Sequence, residues 1–258
     1  MGTVSYWACG LLILGILTNL IRSDDPSEST SEQSISNQKP PSLIVVTVAT
    51  DQTDGFLRLQ RSAEQFDLKL NVFGLGQQWN GGDTRYYQGG GQKIKILRES
   101  LEEYKDREDV IVLFVDAYDV VFNAGEEEIL AKFDEIYYKY RVVFSAEPFC
   151  WPRKELAPEY PTVQFGKRFL NSGLFMGYAP EIWRIINEYP VADEDDDQLY
   201  YTNIYLDEKL RNDLKITLDS MSFIFQNLNG IKDDVAIEFN DNGDAQVSIS
   251  NVPYNTHP

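Results

Sequence analysis

The chain has little histidine, little cysteine and a shortage of positive charge. Among 258 residues there is one His and there are two Cys, and 23 Lys and Arg stand against 41 Asp and Glu. The formal net charge of −18 argues against a nucleic-acid partner, because a phosphate backbone rewards basic surfaces. It suits a basic substrate or partner, a bound metal, or plain solubility. The cysteines are Cys9 and Cys150, and Cys9 lies in an N-terminal apolar stretch. Cys150 alone cannot close an internal disulfide, so the fold must stand on its core. No Asn-x-Ser/Thr sequon occurs, so N-glycosylation is not expected. No internal repeat is visible. What the chain does have is apolar and aromatic material: 43% hydrophobic residues, with 15 Tyr, 14 Phe and 4 Trp, which supports a sizeable core.

Trp7–Ile21 is apolar, short for a membrane span and about right for the core of a signal peptide. No Lys or Arg precedes it, so an uncleaved N-terminal anchor is the alternative. Residues 1–22 are read as signal peptide or short anchor. Residues 23–41, rich in Ser, Glu, Gln and Pro, are read as a disordered linker. Residues 42–258 are read as the folded domain.

Within that domain, Leu43–Thr50 is an apolar run suited to a buried strand, and Phe56–Phe66 carries apolar residues at helical spacing. Leu68–Phe73 alternates as a strand does. This order opens a nucleotide-binding α/β unit. A long irregular stretch, Gly74–Gln92, follows, and loops of that length are usually functional or disordered. It ends in Gly89-Gly90-Gly91 and Lys93 at a helix start, where backbone amides can approach an anion. The Walker spacing is absent, so the match to a phosphate loop is weak. Helices are expected over Gly91–Tyr104, Glu126–Tyr140 and Glu181–Tyr189, with a buried helix over Leu199–Tyr205. Strands are expected at Arg141–Ala146, Phe169–Gly177, Ile216–Leu218 and Phe223–Phe225, with a hairpin over Val235–Phe239 and Gln246–Ile249.

Val110–Val121 is the centre of the pattern. Its apolar run suits a strand buried on both faces, and it runs straight into Asp116 and then Asp119. Ligands in open α/β sheets bind outside the carboxyl ends of the strands. Two carboxylates this close call for a cation between them, and oxygen ligands suit Mg²⁺ or Mn²⁺. The plain alternative is that Asp119 caps a turn and Asp116 bonds loop amides. The acidic run Asp193–Asp197 is either a solvated face or, because it leads into a buried helix, part of a site.

In order, the chain carries Gly74-Leu75-Gly76, Trp79, Gly89-Gly90-Gly91-Gln92-Lys93, Val115-Asp116-Ala117-Tyr118-Asp119, Ser145-Ala146-Glu147 and Phe149-Cys150-Trp151-Pro152. It continues with Gly166-Lys167-Arg168-Phe169-Leu170-Asn171-Ser172-Gly173, Asp195-Asp196-Asp197-Gln198-Leu199 and Phe225-Gln226-Asn227-Leu228-Asn229-Gly230. Together these motifs resemble the N-terminal glycosyltransferase domain of the procollagen lysyl hydroxylases, over about Leu43–Pro258. The collagen galactosyltransferases are more distant relatives in kind.

The resemblance implies an α/β fold of GT-A type, a mixed central sheet flanked by helices. It also implies a UDP-sugar donor, Mn²⁺, and transfer of a hexose to hydroxylysine or hydroxylysine-linked sugar of collagen or procollagen chains. Glucose is the first expectation for the hexose and galactose the alternative, with retention at the anomeric carbon. It places the metal on Asp116 and Asp119, and the nucleotide on Val48, Thr50, Trp79, Lys93 and Tyr118. It places the sugar against Glu147, Trp151 and Asn171, and the acceptor near Asp196 and Asp197 as catalytic acids. The expected location is the endoplasmic reticulum lumen or the secretory route, with membrane contact only through an uncleaved N-terminal segment.

Oligomeric state is left open. The family continues with His-Gly-Asn-Gly-Pro, whose His completes the metal site, so the domain reads as incomplete at Pro258, and His257 is not given that role. Weak UDP-sugar binding with little transfer is the expectation for the chain as it stands. A non-catalytic scaffold of a lysyl hydroxylase-like protein is the competing one. No iron or 2-oxoglutarate chemistry is expected of this segment.

Overall fold

The computed structural model describes residues 12–14, 40–83, 87–230, 235–239 and 245–249. Its strands are β1 (Leu12–Leu14), β2 (Ser42–Val48), β3 (Leu70–Phe73), β4 (Val110–Val115), β5 (Val120–Phe122) and β6 (Val142–Glu147). They continue with β7 (Phe169–Tyr178), β8 (Ile216–Asp219), β9 (Phe225–Asn227), β10 (Val235–Phe239) and β11 (Ala245–Ile249). The helices are α1 (Asp54–Gln65), α2 (Gly91–Leu101), α3 (Glu126–Tyr137), α4 (Ala179–Asn187), α5 (Asp197–Leu206) and α6 (Glu208–Asp213).

Six strands form the main sheet in the order β3-β2-β4-β7-β6-β8. β3, β2 and β4 run parallel, as do β6 and β8, and β7 lies between β4 and β6 antiparallel to both. The sheet is therefore mixed, with helices on both faces. The unbroken apolar run of β4 follows from that sandwiching. Val110, Val112 and Phe114 face the layer of α2, α4 and α5, while Ile111, Leu113 and Val115 face α1 and α3. Phe114 stacks on Phe175 of β7 at 4.7 Å between ring centroids, and Phe144 and Tyr201 close around Phe175 at 5.0 and 5.3 Å. Aromatic pairs at these separations add attraction beyond their buried area.

The elements start and stop for local reasons. Thr53 caps α1 by accepting the Phe56 amide, and Leu59 and Ala63 carry its buried face. α3 opens on Glu126, Glu127 and Glu128, where the helix dipole favours acids. Pro180 lies in the first turn of α4, where its missing amide is not needed.

Several expectations need correction. β4 ends at Val115, where the apolar run ends as expected, while Val120–Phe122, not expected as a strand, forms β5 of a second sheet, β5-β1-β9. The strand expected at Phe223–Phe225 is shifted to Phe225–Asn227. Asp219 takes the amides of Phe223, Ile224 and Phe225, which forces a turn there. α3 ends at Tyr137, and α6 was not expected, because α6 buries none of its residues and so has no apolar period. β10 and β11 pair antiparallel as the expected hairpin.

Of the apolar stretch Trp7–Ile21, Leu12–Leu14 pair between β5 and β9, and its other residues lie outside the described ones. The linker expected over 23–41 also lies outside them, apart from Pro40 and Pro41. Among the described residues no helix is long and apolar enough to cross a membrane.

Candidate glycosyltransferase site

A cleft of about 350 Å³ opens at the carboxyl end of β4. Asp116, Asp119, Glu147, Trp151 and Asn171, five of the side chains expected at the site, line it together with Phe149, Gly173, Gln198, Asn227 and Asn229. β4 delivers Asp116, whose amide donates to the Gly173 carbonyl of β7 at 2.8 Å. Between Phe144 and Ser145 the β6–β7 register jumps from Phe175 to Asn171. Ser172, Gly173 and Leu174 thus have no partner on β6; Leu174 pairs with Val115 of β4 and stays in the core, while Asn171 and Gly173 line the cleft. Bulges of this kind recur beside active sites because they re-aim side chains.

One wall is charged: it is lined by Asp116 and Asp119, with Lys93 and Asp197 behind them and outside the lining. Lys93 Nζ lies 2.9 Å from Asp116 Oδ1 and 2.5 Å from Asp197 Oδ2. Burial alone would lower Lys93, but the two carboxylates hold it well above the usual lysine range. Burial raises Asp116, while Lys93 pulls it back and Asp197 raises it further. Asp119 is pushed up to about 7 by burial and by Asp116 beside it. The opposite wall is built around Glu147. Its Oε1 accepts from Gln198 Nε2 at 2.6 Å and its Oε2 from Asn229 Nδ2 at 3.3 Å. Burial raises Glu147, and hydrogen bonds from Gln198, Asn229 and Asn171 oppose that rise. Gln198 also fixes Ser172, accepting its amide at 3.2 Å.

The remaining expected residues take different places. Tyr118 is 40% exposed, and its hydroxyl accepts from the amides of Thr50 and Asp51, so Tyr118 and Thr50 meet beside the cleft. Val48 is buried in the core, and what it offers a ligand is backbone at the end of β2. Trp79 folds over its own loop, donating to the Gly82 carbonyl at 2.6 Å. Asp196 caps α5 by accepting the Leu199 amide at 2.7 Å, and burial pushes it up to about 6.

The Gly89–Gly91 turn is not an open anion nest. The amides of Gly91 and Gln92 donate to the carbonyls of Asp195 and Asp193, and Gly90 bridges to Asp196. Gly90 has φ +101°, and a Cβ there would lie 2.9 Å from the Asp197 carboxylate carbon. The glycines thus let the acidic loop close onto α2 and deliver Asp197 to Lys93. Gln198, Asn227 and Asn229 were not singled out as site residues. They lie inside motifs that the sequence shows, but their reading as a turn and a helix start hid their direction.

The family model for the PLOD GT domain matches residues 39–258. The chain belongs to that family. It is 61% identical over 218 residues to a protein of Caenorhabditis elegans named multifunctional procollagen lysine hydroxylase and glycosyltransferase, covering 84% of this chain and 30% of that one. The human protein of like name is 49% identical over 219 residues, covering 85% of this chain and 29% of that protein. Human procollagen-lysine,2-oxoglutarate 5-dioxygenase 2 is 43% identical over 248 residues, covering 96% and 33%. The chain spans about 30% of the length of the first two relatives.

The mixed six-stranded sheet with helices on both faces is that of a GT-A type glycosyltransferase domain. Within this PLOD GT domain, Asp116 and Asp119 present oxygen donors of the kind a hard divalent ion takes. Burial and the neighbouring Asp116 hold Asp119 toward its neutral form. Among the described residues no group of three or more His, Cys, Asp or Glu is gathered to hold a metal. His257 lies outside the described residues.

Proposed function

We propose that this domain binds a UDP-sugar in the cleft and transfers its hexose, glucose in first place and galactose as the alternative. The acceptor is hydroxylysine or a hydroxylysine-linked sugar of collagen. Membership of the PLOD GT family supports transfer, and the relatives' names supply procollagen. The observation that carries the reading is the meeting of Asp116 and Asp119 with Glu147, Trp151 and Asn171 in one cleft at the end of β4.

Transfer breaks the bond between the anomeric carbon and the diphosphate and forms one from that carbon to the acceptor oxygen, whose proton passes to the departing diphosphate. Negative charge collects on the leaving diphosphate. Mn²⁺ held by Asp116 and Asp119 would act there as a Lewis acid. Two protein carboxylates fill only part of its coordination, so diphosphate oxygens and water would supply the rest. Lys93 adds a fixed positive charge beside Asp116. The exposed ring of Tyr118 offers a flat face to uracil or ribose. Glu147, with its amide partners, receives the hexose hydroxyls. Asp197 lies behind Lys93, where it tunes that charge, and Asp196 is placed to act near the acceptor only through the turn it caps. The domain would work in the endoplasmic reticulum lumen or along the secretory route.

Titration calorimetry with UDP, with and without Mn²⁺, tests this reading. Mn²⁺ should strengthen UDP binding, and Asp116→Ala should abolish that dependence. Equal UDP affinity in both conditions would sink the role given to the two carboxylates.

A further inference from the structure

Lys167 is 7% exposed and lies behind the Glu147 wall. Its ammonium donates to the Asn227 carbonyl at 2.6 Å and to Ser222 Oγ at 3.2 Å. Asp219 and Glu147 attract it without bonding to it. Asp219 is already engaged by the Tyr137 hydroxyl and by the amides of Phe223, Ile224 and Phe225. A buried cation without a bonded counter-ion is a poor way to stabilise a core, since an apolar side chain of like volume does as well or better. What this ammonium does instead is hold one carbonyl at the end of β9, which also accepts from the Gln226 side-chain amide at the longer distance of 3.0 Å. From that carbonyl the chain continues to the cleft. Asn227 Oδ1 accepts the Asn229 amide at 2.8 Å, and Asn229 Nδ2 donates to Glu147 Oε2 at 3.3 Å.

We propose that Lys167 is a positioning residue for the sugar side of the cleft: by fixing the Asn227 carbonyl it sets Asn229 against Glu147 and so governs the grip on the hexose. The inference rests on the function proposed above. It separates the nucleotide, held from the Asp116 wall, from the sugar, held from the Glu147 wall. A cation that merely fills the core would affect the two ligands alike.

The test uses the full chain, with UDP and UDP-glucose titrated separately in Mn²⁺. Lys167→Met should leave UDP affinity within about twofold and cut the extra affinity of UDP-glucose over UDP by at least about fivefold. Asn229→Ala should cause a similar selective loss, and the double variant should lose little more, because both changes break one chain of contacts. In the ligand-free protein, hydrogen exchange at the Asn229 amide should rise about tenfold in Lys167→Met while β4 and β7 stay protected. Should Lys167→Met not fold, Ser222→Ala loosens the same ammonium and should give the same selective loss at about twofold. Equal weakening of both ligands, additive losses in the double variant, or unchanged exchange at Asn229 would each overturn the proposal. If the unaltered chain binds no UDP-sugar, the proposed function fails, and the exchange experiment still decides the placement of Asn229 by Lys167.

Discussion

On one wall of the cleft Lys93 lies between Asp116 and Asp197; on the other, Glu147 is held by the amide side chains of Gln198, Asn229 and Asn171. Both walls bury carboxylates, and they satisfy them by different means. The first uses an ion triad, whose members are each costly to bury and depend on one another. The second uses neutral amides, which orient a carboxyl group through directed donors at fixed angles. A wall with one lysine among several aspartates suits a cation, and only through a cation a diphosphate. An amide wall suits a ligand that presents many hydroxyls, such as a hexose. On the function proposed above, the same chain would separate affinity for charge from recognition of shape between two sides of one cleft.

The sharpest way to break the comparison is to remove the central cation. Lys93→Ala leaves Asp116 and Asp197 buried and facing each other, and should lower stability by about 3–5 kcal/mol in urea unfolding. Mn²⁺ with UDP should recover part of that loss, since one cation replaces another. A loss below about 1 kcal/mol would show that the wall does not depend on the triad.

The next test acts behind the amide wall. Burial lowers Lys167 to about 8 from its ordinary 10.5. Between those values the unfolded chain binds more protons than the folded one, so the contribution of Lys167 rises with pH through that window. It is present above about 10.5 and lost as pH falls through about 8. Relative to Lys167→Met, the native chain should gain up to about 3 kcal/mol between pH 8 and 10.5, measured as the difference between two urea series. A flat difference would place there an amine that titrates in the folded chain as it does in water, solvated rather than buried.

The smallest effect belongs to the acid that caps a helix. Asp196→Ala should cost about 1 kcal/mol, and Asp196→Asn no more than a few tenths, because Asn also caps. If Asp196→Asn nonetheless cuts transfer while UDP binding holds, the carboxylate acts beyond its capping bond.

The charged wall was the more legible of the two in the sequence. β4 declared itself through an apolar run, and Asp116 and Asp119 stood at its end, where α/β sheets bind ligands. Lys93 could be seen to belong near them, but its ion triad could not, because Asp197 comes from a helix a hundred residues away. The amide wall was harder. Glu147, Trp151 and Asn171 came from family resemblance, and nothing in their local pattern showed the register jump that turns Asn171 inward. Asn227 and Asn229 read as turn residues, since Asn is common in turns. The shift of β9 was hidden for the same reason that makes it stable. One buried carboxylate, Asp219, outweighs the strand propensity of Phe223, Ile224 and Phe225 by taking their amides. Trp79 and Val48 were placed by resemblance alone, and the structure engages the first in its own loop and the second in the core.

β7 has a consequence for the order in which the molecule comes together. It is the strand that joins the parallel block β3-β2-β4 to the parallel pair β6-β8, and it is antiparallel to its neighbours on both sides. β2, α1 and β3 can associate from nearby sequence and β4 can add beside β2, whereas the other edge of β4 stays open until β7, far along the chain, docks on it. Loop-closure entropy makes such distant pairings slow relative to local ones. The amide of Asp116 finds its carbonyl on Gly173 only when that junction closes. The cleft is therefore expected among the last features to form on the folding pathway. A half-folded chain, with β4 exposed and β7 undocked, would show the acids of the site without the geometry that gives them a ligand.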